Sequence, residues 1–224
     1  IDVVTIQNCN ADPIAMSLKS DPAFTNIIFA ANGSSGIKIL EGTLSSNATL
    51  SKRNIAGISN IAYIVDDLTV SPNAVLTIEP GVVIKFNVHY YYKITVQGAL
   101  VADGTPTERI VFTSIKDDSN GGDTNNDGNS SSPDKGNWRE IQFQSSTLDT
   151  LNSLKYCSIR YGGNHSYLYN YNWGAIRIFN ANLKMDNCIV EQSYSTGIGI
   201  FGSSAPTIAN TEINNINYTP IAMS

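Results

Sequence analysis

The residues best suited to chemistry in this 224-residue chain lie in one acidic, glycine-rich stretch near its middle. Asp123, Asn125 and Asp127 stand at alternate positions and Gly128 follows them. A calcium loop presents hard oxygen ligands at this spacing and then turns sharply at a glycine. Asp134 falls at the twelfth position of the same frame, where a carboxylate closes such a site. The spacing therefore predicts a bound calcium ion.

The surrounding segment, residues 117–138, is a long loop without strand pattern, inserted between two strands. Asp117 and Asp118 at its beginning are two further candidate calcium ligands. A loop of this length is costly to order and is usually either functional or disordered, which favours an ion that holds it in place. The alternative is a solvated insertion whose acidic residues serve solubility.

A second unusual stretch, residues 164–173, is a turn dense in aromatic residues. Aromatic rings offer large, flat apolar faces with a polar rim, and such faces stack on sugar rings. The turn is therefore a candidate glycan-binding surface, with mutual packing of the rings at the edge of the fold as the alternative. The candidate ligand residues are Tyr167, Tyr169, Tyr171 and Trp173.

No catalytic residues are predicted. The two histidines, His89 and His165, have no serine or cysteine nucleophile motif near them, so triad chemistry is not expected. A lyase would need a basic residue that removes a proton beside carboxylate-bound calcium. Arg139 and Arg160 fall at outward strand positions, and no enzyme signature surrounds them.

Composition excludes two classes of partner. The net charge is −5 and the basic residues are scattered singly, so the basic patch of a nucleic-acid protein is absent. No apolar run approaches the length of a membrane span, so membrane insertion is not expected. Cys9, Cys157 and Cys188 lack metal-binding spacing and are predicted to be buried free thiols.

The elements that must position these residues are short β-strands. Apolar residues alternate in pairs such as Ile37-x-Ile39 and Ile198-x-Ile200, and helical periodicity is absent. The same pattern returns at a regular step, as from Ile14 to Ile37 and from Asn187 to Asn210. Three short strands and three turns in each step of about 22–26 residues predict an all-β parallel β-helix, whose coils stack.

The stacking predicts specific neighbours. One interior column is expected to contain Ile14, Ile37, Ile198 and Ile221, and Asn187 is expected to lie over Asn210 in an inward ladder of side-chain amides. In the middle of the chain the step is slightly longer. There, Leu68-x-Val70 is expected to pair with Ile94-x-Val96, and Ile84-x-Phe86 with Ile110-x-Phe112.

The two ends of the chain also resemble each other. Residues 6–17 recur as residues 213–224, and the pentapeptide Pro-Ile-Ala-Met-Ser is identical in both. This repetition predicts a tandem unit of about 207 residues that continues at residues 208–224. Neighbouring units of the same protein are then the expected partners, stacked end to end.

The central part of the chain resembles the right-handed parallel β-helix repeat family of secreted and cell-surface bacterial proteins. The resemblance rests on Leu76-Thr77-Ile78-Glu79-Pro80-Gly81-Val82-Val83-Ile84-Lys85-Phe86 and on residues 68–70, 96–100, 112–114 and 159–163. It implies an extracellular or cell-surface location. It does not imply one activity, because the fold carries lyases, hydrolases, adhesins and passive stalks.

Two functions therefore remain in view. The first is a structural or adhesive extracellular module, a rigid rod stabilised by calcium. The alternative is a carbohydrate-active β-helix enzyme or a glycan-binding domain that uses the acidic loop and the tyrosine-rich turn.

Overall fold

A computed structural model describes residues 3–40, 42–146, 148–165 and 172–224. These residues form short β-strands and one turn of 3-10 helix, Asp149–Leu151, so no helix there is long and apolar enough to cross a membrane. The strands are β1 (Val4–Gln7), β2 (Ile14–Met16), β3 (Ile27–Ala30), β4 (Ile37–Ile39), β5 (Thr43–Leu44), β6 (Ala48–Leu50), β7 (Tyr63–Val65), β8 (Asp67–Val70), β9 (Val75–Ile78), β10 (Val83–Phe86), β11 (Lys93–Val96), β12 (Ala99–Asp103), β13 (Ile110–Ser114), β14 (Glu140–Gln144), β15 (Ser153–Lys155), β16 (Cys157–Arg160), β17 (Ile176–Phe179), β18 (Lys184–Asp186), β19 (Ile189–Glu191), β20 (Ile198–Phe201), β21 (Thr207–Ala209), β22 (Glu212–Asn214) and β23 (Ile221–Met223).

The strands form three large parallel sheets and one small one. Sheet I has eight strands in the order β2-β4-β7-β10-β13-β16-β19-β22, sheet II has seven in the order β5-β8-β11-β14-β17-β20-β23, and sheet III has six in the order β6-β9-β12-β15-β18-β21. Strands β1 and β3 pair separately. From β4 onward the chain visits sheets I, II and III in turn. The prediction of an all-β chain of stacked parallel strands is confirmed.

The core lies between the three sheets, because alternate residues of each short strand point inward. In β11, Ile94 and Val96 are fully buried and stack on Leu68 and Val70 of β8. Each large apolar side chain buried in this way contributes about 1.5–3 kcal/mol. The inward residues of successive strands join into one continuous apolar cluster, to which Trp138 also belongs.

Most of the residue pairs predicted from the length of the repeat are neighbours on adjacent strands. Ile14 lies beside Ile37, Ile198 beside Ile221, and Leu68 beside Ile94, as the shorter and the longer step predict. One pairing was wrong, because Ile84 lies beside Phe112 rather than Ile110. A shift of two residues keeps the same side chains facing inward, so alternation alone cannot detect it.

The prediction of one column for all four isoleucines was also wrong. Ile14 and Ile37 belong to sheet I, whereas Ile198 and Ile221 belong to sheet II. Strands of all three sheets share the pattern apolar-x-apolar, so the pattern fixes neighbours within a sheet without identifying the sheet.

The predicted inward ladder of asparagines is not formed by Asn187 and Asn210. Asn26, Asn187 and Asn210 have positive φ angles of 53°, 54° and 46°, a backbone conformation that asparagine tolerates better than most residues. The Asn210 side chain is exposed, and its amide donates a hydrogen bond to Asp186 Oδ1 at 2.9 Å. The recurrent asparagine therefore marks a left-handed turn residue just before a strand.

The three cysteines are free. Cys157 and Cys188 are buried in the core, as predicted, but Cys9 is partly exposed. Cys9 lies just after β1, at the edge of the fold, where few neighbours cover it.

Candidate functional site

The acidic loop packs against the outer face of sheet I. The chain leaves β13 at Ser114, enters β14 at Glu140, and runs back between these points towards the turn before β4. There, Ser35 N donates to Thr124 O at 2.8 Å, and Asn126 Nδ2 donates to Asn32 O at 2.8 Å. Strands β4 and β13 are three strand spacings apart, about 14 Å. The loop thus ties together circuits of the chain that are distant along the sheet.

The loop also buries side chains that point outward from sheet I. Ile64, Val83 and Val111 are buried although they point away from the core. A Cβ atom added at Gly36 would lie 2.7 Å from Ile64 Cδ1 and 2.9 Å from Thr124 Cγ2, which shows how closely the loop and the sheet approach. The loop is therefore a packed outer layer at this point rather than a segment extended into solvent.

Three carboxylates of the loop converge. Asp118, Asp123 and Asp127 each place one carboxylate oxygen within 4.8 Å of the others. Asp123 accepts hydrogen bonds from Asp127 N at 3.1 Å and Gly128 N at 2.9 Å, and Gly128 has a φ of 65°. The carboxylate at the first position of the frame thus folds back on the loop, and the glycine at the sixth makes the turn.

Several oxygens of this cluster have no hydrogen-bond partner. The Oδ1 atoms of Asp118, Asn125 and Asp127 are buried and unpaired among the described residues. Burial raises the pKa of Asp118, and the charge of Asp123 adds to the effect. Buried oxygens without a partner are costly, and so is the repulsion between neighbouring carboxylates. A divalent cation would remove both costs, because it binds oxygen ligands and supplies positive charge.

Asp117 lies outside this group and is already paired. Its carboxylate is buried and accepts hydrogen bonds from Thr113 Oγ1 at 2.6 Å and from Ser119 and Asn120, with Arg160 Nη1 at 3.5 Å. Burial acts to raise its pKa, but these hydrogen bonds outweigh burial and hold the pKa below its usual value. Asp117 therefore organises the start of the loop.

The other predicted ligands have separate positions. Asn125 Nδ2 donates to Asp127 Oδ2 at 2.8 Å, which places Asn125 at the edge of the cluster. Asp134 Oδ1 accepts a hydrogen bond from Lys135 N at 2.7 Å, and Asp134 is not part of the group of three carboxylates. The structure thus brings together three of the predicted carboxylates and the neighbouring asparagine.

A lysine beneath the loop was not singled out from the sequence. Lys85 points outward from β10 but is fully buried, and its Nζ donates to Gly122 O at 2.6 Å. Burial lowers its pKa to about 8, although the charges of Asp117, Asp118 and Asp123 oppose this shift. Its ammonium group partly balances the acidic cluster.

A second cluster of charged residues lies on the outer face of sheet II. Glu140 is fully buried, with its Oε1 3.4 Å from Arg139 Nε and its Oε2 3.3 Å from Arg177 Nε and 3.5 Å from His165 Nε2. Burial raises the pKa of Glu140 despite the nearby cations Arg177, Arg139 and Lys93. Arg139, expected at an outward strand position, instead directly precedes β14 and is buried against Glu140.

His165 remains neutral in this cluster. Its Nε2 lies 2.9 Å from Gly174 O, and its ring is fully buried. Burial lowers its pKa to about 3, and the charges of Arg139 and Arg177 act in the same direction. Since the ring carries no charge at neutral pH, the charge of Glu140 is balanced by Arg177, Arg139 and Lys93.

A cavity of about 460 Å³ opens beside this cluster. The guanidinium carbon of Arg177 lies 4.1 Å from the centre of the Trp173 ring, and that ring is nearly perpendicular to the His165 ring. Of the four aromatic residues predicted to bind glycans, Trp173 lines the cavity, whereas Tyr167, Tyr169 and Tyr171 lie outside the described residues. The lining residues are Gln142, Gln144, Trp173, Arg177, Phe179, Phe201, Gly202 and Ser224.

Comparisons with family models, with curated proteins and with solved structures gave no match to this chain. Its function is therefore inferred from the geometry of its own residues. That geometry offers two arrangements suited to binding a ligand. One is the acidic loop, which suits a cation, and the other is a cavity on another face that is lined by Arg177 and aromatic side chains.

Proposed function

We propose that this chain is a structural or adhesive module of a cell-surface rod, built as a right-handed parallel β-helix and stabilised by calcium. The observation that carries the proposal is the repeated visit of the chain to sheets I, II and III, which stacks up to eight parallel strands in one ladder. Connections between parallel strands of one sheet are almost always right-handed, which supports the handedness. The resemblance to secreted and surface-attached bacterial repeat proteins supports the location.

A rod is the mechanical consequence of this architecture. Neighbouring strands are about 4.8 Å apart, so the eight strands of sheet I extend about 35 Å along one axis. The strand ladders join each circuit to the circuits beside it, so further circuits lengthen the rod without changing its cross-section. Such a module suits a protein that holds a partner at a distance from a surface.

The repeated ends support a tandem array. When the two copies of the repeated segment are aligned, β23 (Ile221–Met223) falls on β2 (Ile14–Met16), and β22 falls within β1. The two copies share their strand positions but not their sheets, because β2 lies in sheet I and β23 in sheet II. Strands β21, β22 and β23 each pair on one side only among the described residues, and Ile221 and Met223 are exposed. Unpaired strand edges are templates for further pairing, and a neighbouring unit would cover them.

We expect the isolated chain to associate end to end. The sedimentation coefficient should rise with protein concentration, and small-angle scattering should show a particle that grows in one dimension only. Met223→Lys and Val4→Lys, which place charges at exposed positions of the last and the first strand, should prevent association. Tyr91→Lys, at an exposed position elsewhere, is the matched control. A chain that stays monomeric at high concentration would rule out the array.

The calcium proposal rests on the convergence of Asp118, Asp123 and Asp127 and on the unpaired oxygen of Asn125 beside them. A calcium ion held there would fix the loop across sheet I and so lock β4 to β13 through the intervening strands. Extracellular calcium is millimolar, so even a weak site of the kind found in extracellular modules would be filled.

Calcium should stabilise the folded chain. Binding to the folded state alone contributes about 2.7 kcal/mol at a hundredfold excess over Kd, which would appear as a higher melting temperature. Asp127→Ala should remove this gain and leave the circular dichroism spectrum unchanged, because the loop lies outside the core. Asp134→Ala is the matched control within the loop and should keep the gain, since Asp134 is outside the cluster.

The loop itself gives a second readout. Calcium should protect residues 117–138 from proteolysis, and a chelator should remove the protection. If the chelator changes neither the melting temperature nor the cleavage, the loop binds no calcium.

A further inference from the structure

We propose that the cavity on the outer face of sheet II binds an acidic saccharide, with Arg177 holding its carboxylate and Phe179 and Phe201 stacking on its sugar rings. This assigns a ligand to a face that the structural role does not use. It concerns a different surface from the acidic loop.

The local charge favours an anionic ligand. Lys93, Arg139 and Arg177 surround one buried carboxylate, Glu140. Among the charged side chains here, three cations face two carboxylates, Glu140 and Asp67, and Arg177 is the cation that lines the cavity. The side chains of the whole chain sum to −5. A basic patch in an acidic chain attracts anions locally and repels them elsewhere.

Arg177 is restrained by neighbours on two sides. Its Nε lies 3.3 Å from Glu140 Oε2, and its guanidinium carbon lies 4.1 Å from the centre of the Trp173 ring. No described residue accepts a hydrogen bond from its two Nη groups, and Arg177 lines the cavity. The outer edge of a guanidinium matches a carboxylate with two parallel hydrogen bonds. Because its neighbours restrain it in advance, little entropy is lost on binding.

Glu140 positions this arginine and does not touch the ligand. The Glu140 side chain is fully buried and does not line the cavity. Its oxygens lie 3.4 Å from Arg139 Nε and 3.3 Å from Arg177 Nε without forming a hydrogen bond to either, so its charge attracts both guanidinium groups to this position.

The aromatic residues favour a saccharide as the ligand over a simple inorganic anion. Phe179 and Phe201 are in register on neighbouring strands, and Phe179 is 48% exposed. The two side chains therefore project from the same outer face of sheet II, where each ring offers a surface for the apolar face of a pyranose. Beside them, Gln144 Oε1 accepts a hydrogen bond from Gln97 at 3.2 Å, which leaves the Gln144 amide nitrogen to donate to a hydroxyl. A phosphate or sulfate ion would need neither the rings nor the amides.

Binding can be measured by calorimetry at low salt with a short oligogalacturonate and with its carboxyl-reduced, uncharged counterpart. We expect the acidic form to bind and the neutral form to bind at least about tenfold more weakly. Arg177→Lys, which keeps the charge but loses the planar fork, and Phe179→Ala should each weaken binding of the acidic form on the order of tenfold. Lys184→Gln and Tyr91→Ala, at sites outside the cavity, are the matched controls and should bind as the parent does.

Four results would overturn the proposal: no binding of the acidic form, equal binding of the neutral form, unchanged binding by Arg177→Lys, or equal affinity for inorganic sulfate. Loss of binding in the presence of a chelator would assign the saccharide to the acidic loop and would also overturn it. None of these results bears on end-to-end association, so the rod proposal is tested separately.

Discussion

Replacing Trp138 by alanine is expected to destabilise the folded chain by about 3–5 kcal/mol, the range for large aromatic residues in a core. The Trp138 side chain is fully buried, and its ring stacks on Phe86 with centres 4.2 Å apart. Its Nε1 donates a hydrogen bond to Arg160 O at 2.8 Å. Alanine would leave both a cavity and an unpaired carbonyl. Urea unfolding followed by circular dichroism measures the loss.

Two substitutions separate these contributions. Trp138→Phe keeps the stacking but removes the donor to Arg160 O, so it should cost about 1–3 kcal/mol. Phe179→Ala removes an aromatic ring that is half exposed on the outer face and should change stability by about 0.5 kcal/mol or less. If Trp138→Ala costs no more than Phe179→Ala, Trp138 does not anchor the end of the acidic loop to the core.

The strands and their spacing could be predicted from the sequence, because every stacked circuit has to meet the same requirement. Each inward position must be apolar and each turn must reverse the chain, so Ile198 and Ile221 recur at the length of one circuit. The same requirement left the register of Ile84 ambiguous. Ile110 and Phe112 are two residues apart and both point inward, so either could lie beside Ile84, and the structure pairs it with Phe112.

The assignment of strands to sheets could not be read from the same pattern. Strands β1 and β3 form their own pair, and the chain takes up its regular order of three sheets only from β4. That change depends on which edges pair in space, and β2 and β23 have the same residues, Ile-Ala-Met, in different sheets.

The two candidate sites differed in how far the sequence revealed them. Asp123 and Asp127 are close in sequence, so their spacing alone indicated a shared cluster. Lys93, Glu140 and Arg177 are distant along the chain and meet only because β11, β14 and β17 stack side by side. Long loops and turns between these strands make the steps irregular, so no fixed spacing connects them.

Replacing Lys85 by methionine is expected to stabilise the chain at neutral pH by about 1–2 kcal/mol, because the cost of burying its charged amine outweighs the attraction of the nearby carboxylates. The Lys85 side chain is fully buried, and burial lowers its pKa from 10.5 to about 8. A shift of this size costs about 3 kcal/mol when the amine is charged. Loss of its hydrogen bond to Gly122 O offsets part of the gain. Methionine fills a similar volume without a charge.

The stability gap between Lys85→Met and the parent should depend on pH. The folded pKa of Lys85 lies below the unfolded value, so the parent gains about 3 kcal/mol of stability as pH rises from about 8 to 10.5. The advantage of Lys85→Met at neutral pH should therefore disappear and reverse over that range. Lys52→Met, at an exposed pair with Glu108, should show no such change. Removing the ammonium should also tighten calcium binding, since it lies near Asp118 and Asp123. A gap that stays constant from pH 7 to 11 would show that Lys85 is not charged and buried beneath the acidic loop.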